Sequence, residues 1–228
     1  MILAYDRLVR SEVYQTEFMT GDNGHFIIAL ADGMGGHRGG EVASELVLSN
    51  LKYYISDLPR TLSANEIKEY MTEWLHSANN IVNSQGITNP SLHEMGTTLV
   101  GVIYYEGHYF WMNCGDSRLY RLRNNLLEQL TTDHSLNTII GEEKHSNIIT
   151  NCIGAGIKNL YMDMVEFTED LQPDDIYMLC SDGLTDMLPN MEIERLLCHD
   201  ATADKLCEAA INAGGFDNVS VVIFKNMG

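Results

Sequence analysis

This chain of 228 residues has little positive charge and few structural interrupters. Lys and Arg total 14 against 32 Asp and Glu, a formal charge of −18. An acidic surface of that size repels nucleic acid and anionic membrane and favours cations or basic partners. No apolar run approaches the roughly 18 residues that a membrane span requires. There is no basic stretch followed by an apolar run and a small-residue cleavage site, so a cytoplasmic location is expected. Five cysteines form no CxxC or Cys/His ligand spacing and sit mostly among apolar neighbours. That excludes a structural zinc site and reads as buried free thiols in a reducing compartment. Only four prolines interrupt the chain, and no repeat or low-complexity stretch is present.

What is present is a 45% apolar share, ample for a core, and a length that fits one domain, expected to span 1–228. Four acidic dipeptides punctuate it: Asp32-Gly33, Gly115-Asp116, Asp182-Gly183 and Asp217-Asn218. Three of the four come straight after stretches that read as buried strands. Aspartate is depleted in strands and costly to bury unpaired, so carboxylates sited at strand ends need a cation or many donors. Hard divalent ions such as Mg²⁺ and Mn²⁺ take such oxygen ligands from separate segments.

The coarse elements follow from periodicity. Residues 2–19 read as extended, 20–24 as a tight turn and 26–31 as a strand, together a hairpin. After the glycine-rich segment 33–40, helical spacing begins at Glu41. Ser63-Ala64-Asn65-Glu66 is a capping-box pattern opening a second helix, whose apolar positions run from Ile67 to Val82. Stretches 97–105, 108–114 and 117–122 are rich in β-branched and aromatic residues and are joined by short turns, which predicts a three-stranded antiparallel meander. Residues 132–160 show little periodicity and suit a flap. Residues 176–180 form a buried strand, 190–198 and 202–213 two helices, and 219–224 a closing strand. Strands and helices arrive in blocks, which indicates an α+β fold.

Each acidic residue has an ordinary reading beside the functional one. Asp32 suits a helix N-cap, Asp182 and Asp217 suit turns, Asp116 suits the start of a hairpin, and Asp186 suits the cap of a short segment. His37 and His134 read as loop and turn residues. Asp32 has one further qualification as a bridging ligand, because Gly33 offers a carbonyl with no side chain in the way. Two ions about 3.5–4 Å apart would there share an acidic water able to attack at neutral pH.

Six ordered strings carry a family resemblance: Asp32-Gly33-Met34-Gly35-Gly36-His37, Gly96-Thr97-Thr98, Gly115-Asp116-Ser117-Arg118, Asp133-His134-Ser135, Ser181-Asp182-Gly183-Leu184-Thr185-Asp186 and Gly215-Phe216-Asp217-Asn218-Val219-Ser220. Together, from about Arg7 to Phe224, they resemble the PPM-type (type 2C) protein serine/threonine phosphatases in their bacterial single-domain form. The resemblance implies a four-layer α-β-β-α sandwich of two antiparallel sheets flanked by helices, with a dinuclear metal site at one end. It implies two or three Mn²⁺ or Mg²⁺ ions. Asp32 would bridge two of them, the Gly33 carbonyl would bind the second, and Asp182 with Asp217 would hold the first. Asp116, with Asp182 and Asp186, matches a third-metal site of bacterial members.

The resemblance further implies hydrolysis of phosphoserine and phosphothreonine on proteins without a phosphoenzyme, opposing a serine/threonine kinase, by a monomer. Cys180 lacks a basic phosphate loop and reads as packing. The N-terminal motif departs from the family: Arg7 or Arg10 supplies the phosphate arginine, and Ser11-Glu12 replaces an acidic pair, leaving Glu12 for the metal's outer shell. Met34 stands where eukaryotic members carry a histidine. The departure leaves open a binding module with little turnover. A two-metal nuclease is disfavoured by the charge.

Overall fold

Alternation of side chains along the central strands builds the layers. The computed structural model describes residues 1–4, 7–9, 25–34, 37–140 and 148–225. In chain order the elements are β1 (Ile2–Ala4), β2 (Arg7–Val9), β3 (His25–Leu30), β4 (Gly33–Met34), α1 (His37–Ser56), α2 (Ala64–Thr88), β5 (Gly96–Thr97), β6 (Leu99–Tyr105), β7 (His108–Cys114), β8 (Arg118–Arg123), β9 (Leu126–Gln129), α3 (Leu136–Ile140), β10 (Ile153–Gly154), β11 (Asp163–Glu166), β12 (Ile176–Cys180), α4 (Asp182–Thr185), α5 (Asn190–Cys198), α6 (Ala203–Asn212) and β13 (Val221–Lys225).

Two antiparallel sheets carry the fold, one ordered β11-β7-β6-β3-β1-β2 and the other β13-β12-β8-β9. On β3 and β6, Ile27, Ala29, Leu99 and Ile103 pack against Leu48 and Leu51 of α1 and Met71 and Trp74 of α2. The intervening Phe26, Ile28, Leu30, Val100 and Val102 face the other way and meet Leu119, Tyr177 and Leu179 of the second sheet. That sheet's opposite face, Tyr120, Met178 and Cys180, packs on Ile193 and Leu197 of α5 and Leu206 and Ala210 of α6. A period of two in each strand thus separates three apolar layers and gives the α-β-β-α sandwich. Ser63 caps α2 in the capping box expected from its sequence, with Glu66 returning the bond to the Ser63 N–H at 2.8 Å.

Several local expectations are corrected. The predicted meander does not form: β6 and β7 are a hairpin, but β8 leaves for the second sheet and pairs with β9 and β12. Gly115-Asp116-Ser117 is therefore a passage between sheets rather than a hairpin turn. Helix α1 begins at His37 and takes Gly39 and Gly40 into its first turn. These glycines mark close packing: a Cβ on Gly40 would lie 2.5 Å from the Gly33 carbonyl oxygen. At the N-terminus β3 pairs with β1, and β1 with β2. The turn expected at 20–24 lies outside the described residues. A small third sheet, β10-β5-β4, lies beside Asp32 against α1 and α2, and strands β9 and β11 were not anticipated. Within 132–160 the described residues include α3 and β10. Strand β13 starts two residues later than expected, because Val219 and Ser220 belong to the turn that carries Asp217.

Candidate functional site

Asp32 sits where the chain steps from β3 to β4, opposite Thr98, where it steps from β5 to β6. Its backbone is fully engaged. The Asp32 carbonyl accepts from Thr98 N at 2.8 Å and Thr97 Oγ1 at 2.8 Å, and the Asp32 N–H donates to Thr98 Oγ1 at 3.1 Å. The side chain is thereby left available. The Thr98 hydroxyl also meets Ser117 Oγ at 2.7 Å, linking the Asp32 junction to the passage that carries Asp116.

Asp182 opens α4 directly after β12, and Asp186 closes the same turn, its N–H donating to the Asp182 carbonyl at 2.8 Å. Asp217 lies on the exposed turn between α6 and β13 and accepts from Asn218 N at 2.7 Å. Ser181 ties this turn to Asp182. Its hydroxyl donates to the Asn218 carbonyl at 3.3 Å and accepts from Ser220 N at 3.0 Å, while Ser181 N donates to Ser220 O at 3.1 Å. A common arrangement results: a neighbouring Ser or Thr takes the backbone bonds while the carboxylate projects.

The carboxylates crowd one another. Burial, then the charge and hydrogen bond of Asp182, push Asp32 from 3.8 to about 8; the Met1 amine opposes this and Asp217 adds to it. Burial also raises Asp182; the hydrogen bond with Asp32 pulls it back, and the charges of Asp186 and Asp217 push it up. Asp116 is raised to about 7 by burial, then by Asp182 and Asp133. Like charges that must hold protons in order to coexist mark a site suited to a cation.

A second observation agrees. Asp182 Oδ1 is buried and has no hydrogen-bond partner, a costly state that a cation would relieve. The donors are all oxygen, which suits a hard ion. Among the described residues no three His, Cys, Asp or Glu side chains close on one point at ligand spacing. The convergence is a touching pair, Asp32 and Asp182, with Asp116, Asp186 and Asp217 in electrostatic range. The residues present fit divalent ions in kind and charge.

Of the N-terminal candidates, Arg7 is described in its backbone only. It pairs in register with Ala4, and Ala4 with Ile28. That row lies four residues before Asp32 on the chain, about 13 Å along a strand. Arg10, Glu12 and the His37 side chain lie outside the described residues. Cys180 is fully buried and its thiol is pushed up to about 12, chiefly by burial, so it is not an activated nucleophile. His134 holds a turn, as its sequence suggested: Gly115 N donates to its Nδ1 at 3.2 Å. Thr97, Thr98, Ser117 and Ser181 are the supporting residues whose roles could not be read along the chain. Their one signal was membership of the motif strings, where Ser117 and Ser181 each adjoin an aspartate.

The sequence profile of the family described as protein phosphatase 2C matches residues 13–211, and this chain belongs to that family. It is 35% identical over 212 residues to the serine/threonine phosphatase Stp of Listeria monocytogenes, covering 86% of this chain and 83% of that protein. The Streptococcus agalactiae (S. agalactiae) serine/threonine phosphatase superposes with a TM-score of 0.79 at 28% identity, over 99% of this chain and 98% of that one. The catalytic domain of the serine/threonine protein phosphatase PstP in complex with two manganese ions superposes with a TM-score of 0.71 at 29% identity, over 98% and 95%. These relatives carry phosphatase names, which runs against the binding-only alternative.

Proposed function

We propose that this protein is a metal-dependent phosphatase that hydrolyses phosphoserine and phosphothreonine on proteins. The observation that carries the reading is the Asp32–Asp182 pair, two touching carboxyls with an unpartnered buried oxygen at Asp182 Oδ1. Two or three Mn²⁺ or Mg²⁺ ions are the cofactors. Bound there, divalent ions supply Lewis acidity, which neutralises phosphoryl charge and lowers the pKa of water.

The chain's own groups have distinct tasks. Asp32, with the Asp182 carboxyl to which it is hydrogen-bonded, would hold the ions. The Gly33 carbonyl is a ligand, while Asp182 and Asp217 form a second group aligned by Ser181. Asp116, with Asp182 and Asp186, serves a third, weaker position. An arginine near the N-terminus grips the phosphate. Strand β2 runs toward the Asp32 end as it leaves Val9, which supports Arg10 over Arg7. Glu12 serves the outer shell of the metals.

The substrates are phosphoproteins, and a cognate serine/threonine kinase adds what this enzyme removes. The chain acts as a monomeric single domain over 1–228, with a flap inside 132–160, between the buried His134 and Asn151, and works in the cytoplasm. Among the described residues no helix is long and apolar enough to cross a membrane. The test is turnover of p-nitrophenyl phosphate and a phosphothreonine peptide with Mn²⁺. Activity that requires Mn²⁺ and disappears in Asp32→Ala is expected, and metal-independent turnover or an unaffected Asp32→Ala variant would refute the reading. Arg10→Ala should raise KM about tenfold or more while Arg7→Ala changes it little, a charge-assisted bond to phosphate being worth about 1.5–3 kcal/mol.

A further inference from the structure

The passage from β7 to β8 crosses between sheets in three residues, Gly115-Asp116-Ser117, and so has no strand ladder of its own. Residues 130–134 supply one. Leu130 N donates to Leu119 O at 2.8 Å, Leu119 N to Thr131 Oγ1 at 3.1 Å, and Asn113 Nδ2 to Thr132 O at 3.0 Å. Arg118 Nε and Nη2 grip Asp133, at 2.9 and 2.6 Å, and His134 N donates to Gly115 O at 2.9 Å.

The remaining bond comes from a side chain. Gly115, at φ +131°, turns its N–H onto His134 Nδ1 at 3.2 Å. Asn151 Nδ2 approaches the same nitrogen at 2.8 Å. The Asn151 amide cannot be reversed, because its Nδ2 also donates to Tyr161 O at 2.8 Å and its Oδ1 accepts from Tyr161 N at 3.2 Å. Two donors facing Nδ1 place the ring proton on Nε2, which lies 3.0 Å from Asp163 Oδ2 on β11. The ring is 5% exposed and packs 4.6 Å from the Tyr161 ring, so it does not reach substrate.

We infer that His134, held by Asp163 and Asn151, is a positioning residue that fixes the Gly115-Asp116 turn and so aims the Asp116 carboxylate at the weakest of the proposed cation positions. This inference rests on the phosphatase reading above. Its distinguishing feature is the Nδ1 acceptor: His134→Asn can offer an amide oxygen near that point, and His134→Leu cannot.

The experiment counts bound Mn²⁺ by EPR and calorimetry in wild type, His134→Leu and His134→Asn. His134→Leu should weaken the last binding step by about tenfold or more, the usual scale for losing a group that orients a ligand, while the earlier steps stay within a few-fold. His134→Asn should recover most of the loss. A folded His134→Leu variant with the wild-type isotherm overturns the inference, as does a His134→Asn variant no better than His134→Leu. If His134→Leu does not fold, Asp163→Ala, which alters a partly exposed side chain, decides: a weakened last step supports the inference and an unchanged isotherm overturns it. Wild type that binds no Mn²⁺ defeats the metal reading itself and this inference with it, whereas normal wild-type binding with no variant effect defeats the inference alone.

Discussion

Gly183 faces the Asn218 carbonyl so closely that a Cβ at Gly183 would lie 2.3 Å from that oxygen. The start of α4 and the Asp217-Asn218 turn therefore touch through backbone, and Ser181 fastens them beside this contact. Gly183→Ala must push the turn outward. Turnover with Mn²⁺ should fall more than tenfold, while urea denaturation shows a loss of about 1–3 kcal/mol, the usual cost of overpacking. Wild-type turnover in this variant would mean that the spacing of Asp182 and Asp217 is unimportant.

Asp182→Asn removes one charge from a crowded group. Metal-free protein should be as stable as wild type or more so, because repulsion with Asp186 and Asp217 is relieved. Phosphatase activity should drop by a factor of about 100 or more, on the scale of removing a transition-state electrostatic group. Differential scanning fluorimetry and p-nitrophenyl phosphate turnover check both halves, and a less stable metal-free variant would contradict the repulsion argument.

The pH dependence of metal-free stability has a definite sign. Asp32 titrates at about 8 in the folded chain against 3.8 ordinarily, and Asp116 at about 7. Between those values the folded state binds more protons than the unfolded one, so the slope of unfolding free energy with pH is negative. These groups contribute full stability below about pH 4 and lose it progressively as pH rises toward 8. Tm without metal should accordingly fall from pH 5 to pH 8 relative to an Asp32→Asn variant. Saturating Mn²⁺ should raise Tm more at pH 8 than at pH 6.

Arg118 and Asp133 are a two-pronged pair with side chains only 14% and 16% exposed. Arg118→Met leaves Asp133 charged and largely buried, at a cost of about 3–5 kcal/mol by urea denaturation. Adding Asp133→Leu should restore much of the loss, since both charges are then gone. A double variant as unstable as the single one would show that Arg118 acts through something other than Asp133.

Legibility followed the range of the interactions involved. Helix α2 was plain because its apolar stripe and capping box are local, and the strands β7 and β12 because their residues are β-formers bounded by turn signals. The carboxylates were plain because acidic residues at strand ends are costly without a partner. The switch at Gly115-Asp116 was not, since a glycine-aspartate pair between two strands has the same local chemistry in a hairpin as in a crossing between sheets. The glycines at 39 and 40 misled for a related reason: each makes room for a remote neighbour, Met95 for Gly39 and the Gly33 backbone for Gly40, that is revealed only by folding.

The order of motifs, the positions of the acidic residues and the family they belong to were determined by the sequence, because these rest on residue types and local spacing. Tertiary structure alone decided which strand pairs with which, that the Asp32 and Asp182 carboxyls meet, and that Ser181, Thr98 and His134 hold the turns that carry the carboxylates. The physical reason is that a hydrogen bond or a repulsion between remote segments depends on distance in space, and distance along the chain does not encode it.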